Sequence, residues 1–221
     1  HSSLSGSTGQ MTGDGNVAVG YDSLFDLTSG DDNTAVGARA LSNNTTGDNN
    51  VAVGRSALVN NTTGNDSVAI GYNALGANTT NGFKVAVGPH CAELDTGAGA
   101  TVAIGNNCLK TNVSGVNCVG VGAQALMLNT ASNNTAVGLN ALRNNSSGSN
   151  NVAVGTQALL ANTTGVQNVS IGSGSLLSNT TGSENTAIGQ EALDSVTTGN
   201  MNIGIGEKGG YTITSGSTNI A

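Results

Sequence analysis

The sequence has very few of the large side chains from which globular cores are built. Of its 221 residues only 2% are aromatic, none is tryptophan, and Pro89 is the one proline. A chain with so little bulk is poorly suited to a conventional hydrophobic core. We therefore expect a structure whose interior is thin and lined by small side chains.

Basic residues and long apolar runs are also scarce. The chain has six Lys and Arg residues and 13 Asp and Glu residues, which gives a formal net charge of -7. Nucleic acids and anionic membranes are bound through basic patches, so this balance argues against both as partners. No stretch approaches the roughly 18 continuous apolar residues of a spanning helix, and we expect no membrane insertion by this segment.

What the sequence has instead is a short phrase, Val-Ala-Val-Gly or a close variant, repeated along the chain. Its last glycine recurs every 17 residues, with one interval of 16 residues between Gly122 and Gly138. Such a period indicates a repeat protein in which one small unit stacks on itself. Residues of each unit are numbered below from this glycine, which is position 0. The glycines are Gly20, Gly37, Gly54, Gly71, Gly88, Gly105, Gly122, Gly138, Gly155, Gly172, Gly189 and Gly206.

Each unit divides into a phrase, a leucine segment and a polar turn. Positions −3 and −1 are mostly Val or Ile, whereas position −2 is Ala, Gly or Ser, which predicts a strand with one branched and one flat face. Position +3 is small and position +4 is leucine in all but two units, which indicates a second short strand or a bend. The Asn-Thr-Thr-Gly that follows predicts a tight turn, with its glycine free to take a positive φ.

These features predict an all-β fold, a parallel β-roll or β-solenoid of about twelve 17-residue coils over residues 16–221. Asparagines at position −4 should stack as a ladder of side-chain amides. A coil of 17 residues encloses little apolar surface, so we expect several chains to associate in a cyclic homo-oligomer. Residues 1–15 are interpreted as a partial N-terminal coil or a remnant of cloning, and the segment is interpreted as ending in mid-repeat.

The repeated phrase resembles that of a known family. The Asp-Ser-Val-Ala-Ile-Gly of residues 66–71, with variants at 50–54 and 185–189, is similar to the head repeat of YadA-type trimeric autotransporter adhesins. The unit here is longer and carries the Asn-Thr-Thr-Gly extension, which is similar to units in fibre proteins of phages, large viruses and predatory bacteria. The resemblance implies a left-handed β-roll in a homotrimeric fibre, either anchored at a cell surface or outer membrane or forming a virion or tail fibre.

For such a fibre, two functions are open. The chain is expected to be a head or shaft segment that presents or provides sites for a host, prey or matrix glycan or protein. The alternative is a passive structural spacer of a phage or viral tail fibre with no ligand of its own. Positions +1 and +2 vary most between units, which favours solvent exposure, and they supply the candidate ligand-binding residues Tyr21, Arg55, Tyr72 and His90. Aromatic rings can pack on sugar faces, whereas the simpler interpretation is a solvated surface.

The sequence gives little support to an enzyme. Acyltransferases with a left-handed β-helix fold would need a catalytic histidine, and His90 is the only internal histidine of this chain. Those enzymes have an aliphatic residue at every sixth position. In this chain the aliphatic positions −1 and +4 of each unit lie five residues apart. No Ser-His-Asp or paired-carboxylate arrangement recurs, so we expect neither catalysis nor a cofactor. A column of threonines raises ice binding as a further alternative, but consecutive threonines on a strand would point to opposite faces.

The three cysteines are expected to be structural. Cys91 and Cys108 lie one repeat apart at position +3 and should be stacked within disulfide reach. That position is mostly Ala or Ser elsewhere, which favours two buried thiols over a disulfide. Cys118 takes an asparagine-ladder position and is not expected to form a disulfide, and the spacing of the three suits no metal.

Overall fold

The computed structural model describes residues 12–221, which fold entirely as β-structure. Twelve short parallel strands form a β-solenoid of about eleven turns, with one strand on each phrase as predicted. The prediction for residues 1–15 falls largely on residues outside this range. The strands are β1 Val17–Val19, β2 Thr34–Val36, β3 Val51–Val53, β4 Val68–Ile70, β5 Lys84–Val87, β6 Thr101–Ile104, β7 Cys118–Val121, β8 Thr135–Val137, β9 Val152–Val154, β10 Val169–Ile171, β11 Thr186–Ile188 and β12 Ile203–Ile205.

The described residues form two compact units, and the division between them falls between Ser114 and Gly115. Strands β1 to β6 pair in chain order in the first unit, and β7 to β12 do so in the second. Paired residues are one repeat apart, as in Ala52 with Ala69. At the short interval, Gly120 pairs with Ala136, so the strand register is kept although one residue is missing.

The flat face of each strand lies inside the coil. Positions −2, +3 and +4 are buried between the two end coils, as in Ala52, Ala57 and Leu58 of the third coil, whereas Ala18, Gly209 and Gly210 of the end coils are partly exposed. Contact between two of these positions is seen in the tenth coil, where the Ser170 hydroxyl donates to the Ser175 carbonyl oxygen at 2.8 Å. One leucine and two small side chains thus make up most of each coil's apolar interior, and the β-branched positions −3 and −1 face outward.

For the leucine segment the sequence left open a second strand or a bend. Within residues 12–221 the prediction of a strand is wrong, and that of a bend is confirmed. The segment after the phrase is a series of turns, because positions +2 and +4 have positive φ. The leucines at position +4 have φ between 48° and 54°, so the backbone turns at these residues and is not extended. The backbone amide still pairs with the next coil, as Leu58 N donates to the Ala74 carbonyl oxygen at 3.0 Å.

Two asparagine ladders run along the coils where one was predicted. In the position −4 ladder, Asn50 Nδ2 donates to Asn33 Oδ1 at 3.1 Å, which confirms the prediction. In a second ladder at position +7, Asn61 Nδ2 donates to Asn44 Oδ1 at 2.9 Å. Asn50 Nδ2 and Asn61 Nδ2 also both donate to the carbonyl oxygen of Gly64, so the two ladders together close this coil.

The expectation for the glycine of Asn-Thr-Thr-Gly is wrong. Gly47, Gly64, Gly165 and Gly182 are not among the residues with positive φ. Glycine is needed there for space, because a Cβ on Gly64 would lie 2.6 Å from the Asn81 carbonyl oxygen. The glycines that do need a positive φ are those at position 0, such as Gly54 with φ of 131°.

The fifth coil replaces both ladder asparagines with a buried ion pair. Lys84 takes position −4 and Asp95 takes position +7, and both side chains are fully buried. Lys84 Nζ lies 2.9 Å from Asp95 Oδ1 and donates to the Gly97 carbonyl oxygen at 2.7 Å. A cation and an anion thus close this coil in place of two amides.

Candidate functional site

The four candidate ligand-binding residues lie on the turn that follows each strand. Tyr21, Arg55 and Tyr72 hold position +1 and are exposed, and His90 holds position +2 and is partly exposed. Residues at these positions do not contribute to the buried interior, which leaves them available to a ligand.

Three of the four residues are in contact across successive coils. The Arg55 guanidinium carbon lies 5.9 Å from the centroid of the Tyr72 ring, within the range of a cation–π contact. The Tyr72 and His90 rings meet edge to face, with centroids 4.9 Å apart. Tyr21 lies two coils before Arg55 at the same position of the repeat, and Ala38 lies between them. Among the described residues, no ring or cation–π contact connects Tyr21 to the other three.

Glu93 connects this group to two residues that sequence reasoning missed. Its Oε2 lies 3.0 Å from His90 Nδ1 and 3.6 Å from Lys110 Nζ, and its Oε1 accepts from Asn73 Nδ2 at 2.6 Å. Only 19% of the Glu93 side chain is exposed. The repeat could have revealed these contacts, since Glu93 and Lys110 are one repeat apart, as are Asn73 and His90.

A shallow depression lies beside this group. Its volume is about 150 Å³, and its walls combine two amides, a carboxylate and an exposed leucine. On one side Asn60 Nδ2 donates to the Gly76 carbonyl oxygen at 2.7 Å, which holds the amide in place. The lining residues are Asn60, Asn73, Gly76, Ala77, Glu93 and Leu94. We call the depression together with Arg55, Tyr72, His90 and Lys110 the Tyr72 patch.

The Tyr72 patch has the composition of a polar binding surface. The patch contains two positively charged side chains, Arg55 and Lys110, and one carboxylate, that of Glu93. His90 adds a third positive charge when it is protonated. The Tyr72 ring and the Leu94 side chain supply exposed apolar surface. The arrangement therefore offers hydrogen-bond donors and an aromatic face to a small polar ligand.

The cysteines lie in the interior, away from this surface. Cys91 and Cys108 are buried thiols and form no disulfide, as the sequence favoured. The hydrogen bond between the two thiols and their burial raise the pKa of Cys108 far above its usual range, which leaves it unreactive. The Cys118 thiol donates to the Ala131 carbonyl oxygen at 3.2 Å and takes the place of a ladder asparagine. Within residues 12–221, no three His, Cys, Asp or Glu side chains converge as metal ligands would.

The threonine column is occupied by contacts between coils. The hydroxyl of Thr45 donates to the Thr62 carbonyl oxygen at 3.0 Å, and the Thr62 hydroxyl does the same to Thr79. The hydroxyl protons are therefore used within the solenoid, which argues against a threonine face arranged for ice.

The fold and the Tyr72 patch define a β-solenoid repeat protein with a polar side surface. Comparison of the chain with protein-family models, curated proteins and solved structures finds no match. Among residues 12–221, no helix has the length and apolar character needed to cross a bilayer.

Proposed function

We propose that this chain is a head or shaft segment of a homotrimeric fibre that adheres along its side to glycans or proteins of another surface. In this proposal the coils are left-handed, the fibre projects from a cell surface or a virion outside the cell, and the role is not enzymatic. The β-branched outer face of the strands is the observation that carries the proposal.

This outer face is apolar and open to solvent in the single chain. Val19 is 56% exposed, Ile70 39% and Ile171 40%, while the neighbouring position −2 residues are fully or largely buried. Parallel sheets normally have both faces covered. The exposed Val and Ile residues form a column that runs along the coils. This favours an arrangement in which further copies of the chain cover that column. Closed symmetry provides such cover, and the number three comes from the resemblance of the phrase.

The adhesive part of the proposal is supported by the position of the Tyr72 patch. Tyr72 and His90 lie beyond the phrase glycine, on the turn and not on the β-branched face. Association through the strand faces therefore leaves the Tyr72 patch available to a ligand.

A charge placed on the outer face tests the assembly. Ile70→Lys should lower the oligomer mass and the melting temperature, because a cation would be buried between chains. Thr63→Lys adds the same charge to an exposed turn position and should leave both unchanged. Light scattering and thermal unfolding of the two variants measure this, and an Ile70→Lys protein with the mass and melting temperature of the natural chain would contradict the assembly.

Adhesion needs a separate measurement. The protein is labelled with a fluorophore and added to cells or to extracellular matrix. The natural chain should bind, and the Tyr72→Ala variant should bind less. A correctly assembled fibre that binds none of these surfaces is instead the passive spacer.

A further inference from the structure

We propose that the Tyr72 patch binds a sugar that carries a carboxylate, such as a uronic or sialic acid residue of a glycan. This inference rests on the proposed adhesive function and adds the chemical class of its ligand. Three features of the patch carry it, namely its charge, the free donors of Arg55 and the character of the depression.

The charge of the patch is opposite to that of the chain. The protein has a net charge of -7 and only six Lys and Arg residues. Lys84 is buried against Asp95, Lys208 lies 3.6 Å from Glu191, and Lys110 lies 3.6 Å from Glu93, so each of these cations is matched by a carboxylate. Arg55 adds a second positive charge to the Tyr72 patch, and none of the ion pairs of the described residues involves Arg55. An excess of positive charge at one place on an acidic surface favours an anionic ligand.

Arg55 is suited to bind a carboxylate directly. Its guanidinium lies over the Tyr72 ring, and among the ion pairs of residues 12–221 none involves Arg55. A cation–π contact at 5.9 Å leaves the N–H groups of the guanidinium available for a bidentate contact with a carboxylate.

The depression is suited to the rest of the sugar. Asn60, Asn73 and Glu93 present amide and carboxylate atoms that can bind hydroxyl groups, and Leu94 and Tyr72 present apolar surface to a ring face. At about 150 Å³ it is smaller than the pockets that enclose drug-sized ligands. It therefore fits one residue of a glycan, with the overall strength coming from several copies of the patch in a fibre.

The carboxylate itself can be tested with matched probes. Trigalacturonic acid and sialyllactose are compared with their methyl esters, which keep the rings and hydroxyls but lose the charge. Titration calorimetry of the assembled protein should show at least one acid binding about tenfold or more tighter than its ester, as expected for loss of a charge-assisted contact. Equal affinity for acid and ester, or no binding of either acid, would overturn the inference.

Variants locate the site. Arg55→Gln should weaken binding of the acid about tenfold and leave binding of the ester unchanged, whereas Tyr72→Ala should weaken both. Lys208→Gln is the control, because Lys208 also lies by a carboxylate and 5.9 Å from the Tyr211 ring, but does not belong to the Tyr72 patch. An Arg55→Gln protein that keeps the full preference for the acid would contradict the assignment of the carboxylate to Arg55.

The same samples separate this inference from the proposed function. A trimer that binds cells but does not distinguish acid from ester keeps the adhesive function and overturns the acidic ligand. A monomer that prefers the acid supports the ligand class and overturns the trimeric fibre. A trimer that binds neither cells nor either probe overturns both the adhesion and the ligand.

Discussion

The leucine at position +4 shows how single residues shape the coil. Its backbone has φ near 50°, a region that bulky side chains rarely occupy, yet ten coils place leucine there. The side chain is fully buried, and the amide is hydrogen-bonded to the next coil. Burial of a large apolar group in each coil therefore compensates a strained backbone at the same residue.

Replacement of Leu58 by isoleucine tests this strain. The volume is kept, but branching at Cβ disfavours a positive φ, so Leu58→Ile should destabilise the protein by about 1–3 kcal/mol. Leu58→Met is the control, because it has no branch at Cβ and should cost less than about 1.5 kcal/mol. Urea unfolding of both variants measures the difference, and equal stability of the two would contradict the role of φ.

Position −2 is the second residue with a strict requirement. Ala69 is fully buried, and in the last coil a Cβ on Gly204 at the same position would lie 2.7 Å from Leu193 Cγ. Ala69→Leu should therefore destabilise the fold by about 1–3 kcal/mol or prevent folding, since the interior cannot widen. Ala98→Leu adds the same atoms at an exposed position and should shift the melting temperature little. Unchanged melting of Ala69→Leu would show that the interior is not tightly packed there.

At the scale of elements, the ladders decide how each coil closes. In the third coil the two ladder asparagines bind the same carbonyl oxygen and also bind asparagines of the preceding coil, so the same side chains serve both closure and stacking. The buried pair of Lys84 and Asp95 performs this closure with charges, and Asp95 Oδ2 has no partner among the described residues.

A double-mutant cycle tests that substitution. Lys84→Asn alone leaves a buried carboxylate without its cation and should cost about 3–5 kcal/mol. Lys84→Asn with Asp95→Asn restores the amides that Asn50 and Asn61 supply in the third coil, and should return stability to within about 1 kcal/mol of the natural chain. Thermal or urea unfolding of the four proteins gives the coupling. Additive losses in the double variant would contradict an exchange of equivalent closures.

The elements that could be predicted from the sequence are those with strong local patterns. Alternation of branched and small residues defined the strands, and the column of asparagines at position −4 defined one ladder. The leucine φ values could not be predicted, because leucine has no intrinsic preference for that region and the coil imposes it. The contacts of Glu93 were missed because they join residues of neighbouring coils, and only positions +1 and +2 were considered as surface. A comparison of every column across one repeat would have placed Glu93 beside Lys110.

At the scale of the whole molecule, the β-branched face is the feature on which the proposed assembly rests. Each coil buries little apolar surface inside, and its Val and Ile side chains remain partly exposed outside. Contiguous exposed apolar surface is typical of interaction sites, which supports the proposed association of chains. The same association would repeat the Tyr72 patch around the fibre, which joins assembly to adhesion.

Sedimentation equilibrium of the natural chain tests this assembly most directly. A chain of 21.5 kDa should sediment with three times that mass, and the value should not change across micromolar concentrations. A folded protein with β-type circular dichroism that sediments as a single chain of 21.5 kDa at those concentrations would contradict the homotrimeric fibre.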